Sequence, residues 1–318
     1  MPSKSIVESR DQIIDQDVTW TSPQIDEQPV QDTVPTDLST YAALENDAST
    51  KYDLFYINSF PYPERATIKQ EQLDFCVSQF KDIILQLVHQ NRAPFIHHDS
   101  YQLVPPVAYQ DLLGVSAMYC QKTLQNQTVI FSMLDSRISS LIGSSKSSLW
   151  STKDYLIAVQ AMIIYQIIRL FDGDIRQRAK AEGQFKILET WTSHLHSTSN
   201  YSESDTESPY QRWIFMESAR RSVIMSIMLH AIYSILKDGY CTSVPQMTTL
   251  PVSVNGALWV ASEDAWWQTT LGFGGELLTY QDFLAQWNGG QSLFAGTYEL
   301  ILIGACRHNV IRPPPMLP

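Results

Sequence analysis

A chain of 318 residues, 44% of them hydrophobic and only 17% charged, carries enough apolar mass for a substantial core, as one large domain or two small ones. Its 33 acidic residues outnumber 22 basic ones, for a net charge of −11, which argues against a surface built to neutralise nucleic-acid phosphates. The four cysteines, Cys76, Cys120, Cys241 and Cys306, form no C-x-x-C pair, so neither a cysteine-built zinc site nor a disulfide framework is expected.

The acidity is concentrated at one end. Residues 1–50 hold ten acids and two bases (net −8), together with four prolines and no sustained apolar period. They read as a disordered acidic leader or linker, distinct from a body over 51–318. Nothing in Met1–Trp20 has the basic start and apolar run of a signal peptide.

From there the periodicity is helical. Glu71–His89 places Leu73, Cys76, Phe80, Ile83, Ile84 and Leu87 at spacings of three and four, which predicts a helix with one buried face. Pro105–Pro106 opens a second helix over Val107–Gln125, and Thr128–Ile142 forms a third. Ser151 with Asp154 has the form of a helix-capping start before Leu156–Phe171, which is apolar on nearly every side and is therefore expected at the centre. That stretch falls short of the ~20 apolar residues that a membrane span requires.

Asp172-Gly173-Asp174 predicts a turn, and Ile175–Leu195 an amphipathic helix. His194–Ser208 reads as an exposed polar loop, and Tyr210–Lys237 as the longest helix, stopped by Gly239. Further on, Pro245 and Pro251 flank an extended link. Short helices are expected over Leu258–Gln268 and Thr279–Trp287, and a closing helix over Phe294–Val310. The body is therefore expected to be all-α, an irregular array of packed helices without repeats.

Chemistry-bearing motifs are sparse. Neither G-x-G-x-x-G nor G-x-x-x-x-G-K-S/T occurs, and the cluster Gly272, Gly274 and Gly275 lacks a strand–turn–helix context. His97-His98-Asp99 is the densest ligand-type cluster. Adjacent histidines diverge on a helix or strand, so these read as surface or interface residues rather than a metal site, as do His194 and His196.

The helix-end pair Asp172 and Asp174, with Asn200, Ser204 and Ser208 downstream, offers an alternative reading as the magnesium site of an all-helical isoprenoid cyclase. Carboxylates two apart diverge on a helix, and the acid needed at 208 is a serine, so a plain helix stop is the better reading. No residue is singled out as catalytic, cofactor-binding, metal-ligating or DNA-binding, and an enzyme is not expected.

One segment is more specific. Trp213-Ile214-Phe215-Met216-Glu217-Ser218-Ala219-Arg220-Arg221-Ser222 resembles the W-I-x-x-E-S-x-R-R-S/T signature in the regulatory (middle-homology) domain of fungal binuclear zinc-cluster transcription factors. Ala93-Pro94-Phe95-Ile96-His97 looks like that family's entry before its first helices. Leu156–Arg178, with Gln160, Ala161, Tyr165 and Gln166, is similar to its central hydrophobic helix. Gly239-Tyr240, Pro245, Leu250-Pro251, Leu258-Trp259 with Ala261, and Trp266-Trp267 resemble its later landmarks, so the likeness covers roughly residues 75–310.

On the residues alone, Glu217 and Arg221 stand in the favourable order for an i,i+4 ion pair. Trp213, Met216, Arg220 and Val223 fall near one stripe, where the Arg220 stem can cover the indole. The six-cysteine zinc cluster and basic linker of the family are not found, and the first 50 residues contain no cysteine.

The resemblance implies a nuclear transcription-regulator-like protein that acts through other regulators or by homo- or heterodimerisation. It implies no direct nucleic-acid binding by these residues and no membrane contact, and it suggests control of secondary-metabolite or nutrient-utilisation genes. A second reading is a helical domain that senses a small-molecule effector between its helices.

Overall fold

The structure, a computed structural model, describes residues 65–305 apart from 102–103, 148, 200–206, 273 and 289–295. The acidic arm expected over 1–50 lies outside the described residues, as do Cys306 and the end of the closing helix.

The described residues form an all-α array. Helices α1 (Gln70–Gln90), α2 (Val107–Cys120) and α3 (Gln127–Ser147) lead to α4 (Thr152–Phe171), around which the rest is built. Ser151 and Asp154 form the expected capping box: the serine N–H donates to Asp154 Oδ2 (2.9 Å), and its hydroxyl accepts the Asp154 N–H (3.3 Å).

Every residue from Leu156 to Phe171 is buried. With its first turn, α4 reaches 20 residues and is by length and composition apolar enough to cross a membrane, a point on which the shorter sequence estimate is corrected. Its faces are instead covered by protein, namely α1, α2, α3 and three later helices. Its buried polar side chains reach partners inside the core, although among the described residues Gln166 Oε1 and Arg169 Nε are left without one. Gln166 Nε2 donates to the Ala181 carbonyl (3.1 Å). Arg169 binds Asp135 of α3 and donates to Gln184 Oε1 (2.7 Å).

The helix expected over 175–195 is two helices, α5 (Ile175–Glu182) and α6 (Phe185–Thr198). The break falls at Gly183–Gln184, where glycine has low helix propensity and the Gln184 side chain is held by Arg169. The loop expected from His194 is helical through Thr198. Helix α7 (Pro209–Asp238) then packs against α4 and α6, and Gly239 ends it in the left-handed region (φ 83°).

The last third differs most from expectation. The link between Pro245 and Pro251 contains a short helix, α8 (Val244–Thr248). Strand β1 (Pro251–Ser253) follows, then a 3₁₀ turn (Gly256–Val260) and α9 (Glu263–Thr270). The helix expected over Leu258–Gln268 is interrupted because Ser262 caps α9 after an extended Ala261.

Strand β2 (Leu277–Thr279) pairs antiparallel with β1, with Val252 opposite Leu278 and Ser253 opposite Leu277. Three-residue strands are too short to leave a period-two pattern. Helices α10 (Tyr280–Asn288) and α11 (Thr297–Gly304) complete the described chain, and α11 lies against α1.

Truncating the wholly buried Ile164 of α4 to alanine is expected to cost about 2–5 kcal/mol in chemical denaturation, whereas Val129→Ala on the exposed face of α3 costs less than about 0.5 kcal/mol.

Candidate functional site

The signature segment occupies the first half of α7, which opens at Ser208, whose hydroxyl accepts the Gln211 N–H (3.2 Å), and at Pro209 in the first turn. Four-residue spacing stacks Glu217 and Arg221 on one face, and both are buried. Arg221 Nε donates to Glu217 Oε1 at 2.8 Å. Glu217 Oε2 accepts from Arg220 Nη2 (2.9 Å) and from the Ser253 hydroxyl of β1 (2.6 Å).

The rest of the Arg221 guanidinium is equally engaged. Nη1 donates to the Pro94 carbonyl (3.2 Å), and Nη2 to Glu299 Oε1 of α11 (3.4 Å). The Trp259 and Tyr298 rings each lie 4.3 Å from its carbon. The aromatic partners of the signature's arginines thus come from outside α7 and meet Arg221. Arg220, expected to cover Trp213, pairs with Glu217 instead.

Burial pushes the Glu217 carboxyl upward, but the charges of Arg221 and Arg220 and the Ser253 hydrogen bond outweigh it and hold the pKa down at about 2. Burial likewise disfavours the Arg221 charge, and Glu217 and Glu299 more than offset that, leaving its pKa raised.

A second segment is folded into this knot. Ala93 and Ile96 close a tight turn through paired backbone hydrogen bonds (3.0 and 3.1 Å). The turn's carbonyls point to the helices: Pro94 to Arg221, and Phe95 to Gln160 Nε2 of α4 (2.7 Å), whose Oε1 accepts from Tyr101 (2.7 Å).

His97 follows, and it is buried rather than at the surface, because the turn carries it inward against Trp259, with ring centroids 4.9 Å apart, Tyr210 and Trp213. Its Nδ1 accepts the Asp99 N–H (3.2 Å), so the neutral ring carries its proton on Nε2. Burial, followed by His98, lowers its pKa to about 4. His97, His98 and Asp99 have ligand-type atoms within 4.8 Å of one another, but they come from consecutive residues and the Nδ1 lone pair already serves a backbone turn. The arrangement is that of a hydrogen-bonded turn.

Tyr210, Trp213, Ile214, Leu258, Trp259 and Trp266 form a small aromatic core beside the knot. The glycine cluster serves it: Gly272 has φ 85°, and a Cβ there would sit 2.5 Å from the Trp267 ring. Gly274 likewise has φ 77° beside the Trp213 ring, and Gly275 lies against Leu258, so close packing accounts for the glycines without a phosphate ligand.

The two aspartates weighed as magnesium ligands have separate duties. Asp172 binds Lys122 and the Tyr119 hydroxyl (2.8 Å), while Asp174 caps α5 by accepting the Gln177 N–H (2.9 Å). Ser208 caps α7. Asn200 and Ser204 lie outside the described residues. His194 and His196 sit on the last turns of α6, and His194 stacks on Tyr155.

Beyond the knot, the second half of α7 forms one wall of a half-open cavity of about 550 Å³, lined also by the start of α1, by α8 and by α10. A smaller one of about 290 Å³ opens beside Arg221, Trp259 and Tyr298.

Over 214 residues the chain is 34% identical to "Transcription factor gsfR2" of Penicillium aethiopicum, an alignment covering 64% of this chain and 51% of that protein. This chain is similar to a fungal transcription factor. It spans about half the length of the curated relative it matches. No family model matches it, and no solved structure does.

Replacing Ser253 with alanine removes a hydrogen bond to a buried carboxylate and is expected to cost about 1.5–3 kcal/mol in denaturant unfolding.

His97 predicts a pH effect. A ring that titrates at 6.5 when unfolded and at about 4 when folded binds its proton more readily in the unfolded chain. Its contribution is therefore complete above pH 6.5 and is lost as pH falls toward 4. In His97→Asn, whose amide oxygen can replace the Nδ1 acceptor, the fall in unfolding free energy across that window is expected to be shallower than in the parent chain.

Proposed function

We propose that this chain is a regulatory domain of a fungal transcription regulator, acting in the nucleus through protein contacts rather than by catalysis or by direct reading of DNA. The observation that carries the reading is the 34% identity to a named transcription factor over 214 residues. The spatial convergence of Ala93–His97, Trp213–Ser222, Ser253 and Trp259 adds support. Segments that are scattered in sequence and resemble one family's landmarks in order meet in a single knot, as expected if the likeness is one of fold rather than of isolated words.

The knot itself is structural. Glu217, Arg221 and Glu299 are buried and neutralise one another together with the partly exposed Arg220, which suits a domain whose task is to hold shape and present surfaces. By the same reading its partners are other transcription regulators or a second copy of the chain, and its targets a set of secondary-metabolite or nutrient-utilisation genes.

Tethering the chain to a heterologous DNA-binding module upstream of a reporter tests this. The expected outcome is a change in reporter transcription, in either direction, that the module alone does not produce. An unchanged reporter, with the fusion present in the nucleus, would contradict the proposal.

A further inference from the structure

The cavity beside the C-terminal half of α7 has features that a packing defect does not require. Its volume of about 550 Å³ lies within the range of small-molecule sites, and it opens to solvent, so a ligand has a way in. Its walls come from four separate elements and are lined by Met228, Ile232, Ile235, Val244, Met247 and Leu284. Two of these are methionines, whose flexible thioethers adapt to ligands of irregular shape.

The buried polar side chains around the cavity are turned to the chain's own backbone, while Thr67 and Gln281, which also line it, are exposed. Gln72 Nε2 donates to the Gly304 carbonyl (3.1 Å), the Tyr280 hydroxyl to the Leu302 carbonyl (2.5 Å), and the Thr248 hydroxyl to the Pro245 carbonyl (3.0 Å). Among the described residues no acid lines the cavity, and the one basic residue, Lys69, is exposed. Burial pushes the Cys241 thiol upward, so that wall is neutral as well.

We propose that this cavity is an effector site for an uncharged, largely apolar small molecule of drug size. An ionic ligand is disfavoured because it would enter a largely apolar recess whose buried hydrogen-bonding groups are directed elsewhere. The site is placed to matter for regulation. Helix α7 forms its wall and carries Glu217 and Arg221, while Gln72 and Tyr280 tie it to α11, which carries Glu299. A ligand that fills the cavity stabilises the packing around α7, which the knot ties to α11, by mass action on the folded state. The inference gives the regulatory domain a signal to respond to. It is tested on purified protein without any promoter, so that its failure and the failure of the transcriptional reading are read separately.

The probe is N-phenyl-1-naphthylamine, which is uncharged and fluoresces in apolar surroundings, set against its sulfonated analogue 1-anilinonaphthalene-8-sulfonate. The full chain is expected to bind the neutral probe saturably and at least tenfold more tightly than the sulfonate. Ala231→Phe, which fills the cavity from α7, and Leu284→Trp, which fills it from α10, are each expected to weaken neutral-probe binding at least tenfold. Val129→Phe, on exposed α3, leaves it unchanged. Melting by circular dichroism identifies the variants that fold, and either filled variant alone suffices for the comparison. Absence of saturable binding, equal binding by a folded filled variant, or a preference for the sulfonate would overturn the proposal.

Discussion

A single buried guanidinium organises the C-terminal half of this domain. Arg221 cannot lose its charge, so once α7 is packed it requires anionic and carbonyl partners inside the protein. Those partners come from four places in the chain: Glu217 one turn earlier, Pro94 in the turn after α1, Glu299 in α11, and the two rings of Trp259 and Tyr298. Ser253 adds β1 through Glu217. Segments far apart in sequence are thereby fixed in one relation that apolar packing alone would specify less sharply, since apolar contacts are non-directional.

This arrangement depends on α4. A helix buried on all sides supplies the frame on which α1, α2, α3, α5, α6 and α7 are laid, and its polar residues attach the frame to the loops. Gln160 reaches the Ala93–Ile96 turn and so brings the Pro94 carbonyl within range of Arg221. Arg169 reaches Gln184 and sets the corner between α5 and α6. The apolar frame and the ionic knot are therefore connected through side-chain hydrogen bonds to backbone and loops.

Much of the helical plan was legible because its signals are local. The buried stripe of α1, the capping box at Ser151 and the Gly239 stop each depend on residues within a turn or two. The Glu217–Arg221 pair was readable for the same reason. The features that were misread depend on distant partners. The break after Gly183 is completed by Arg169 holding Gln184, and His97 is buried because a turn carries it under Trp259. The β1–β2 pair is too short to show a period. Glu299 was overlooked, although a lone acid within the apolar stretch Tyr298–Gly304 signals a buried charge that needs a partner. The large cavity left no sequence signal, because its lining residues are individually ordinary core residues drawn from separate elements.

The dependence of the fold on the Arg221–Glu217 pair is tested most directly by a double-mutant cycle in denaturant unfolding, with Glu217→Gln, Arg221→Met and the double variant. Removing either partner takes from the other its shortest ion pair, leaving Glu217 with Arg220 and Ser253, or Arg221 with the longer contact to Glu299, and is expected to cost about 3 kcal/mol, while the double variant loses less than the sum of the two. Costs that add to within about 0.5 kcal/mol would contradict the account, showing that the two charges are held independently of each other.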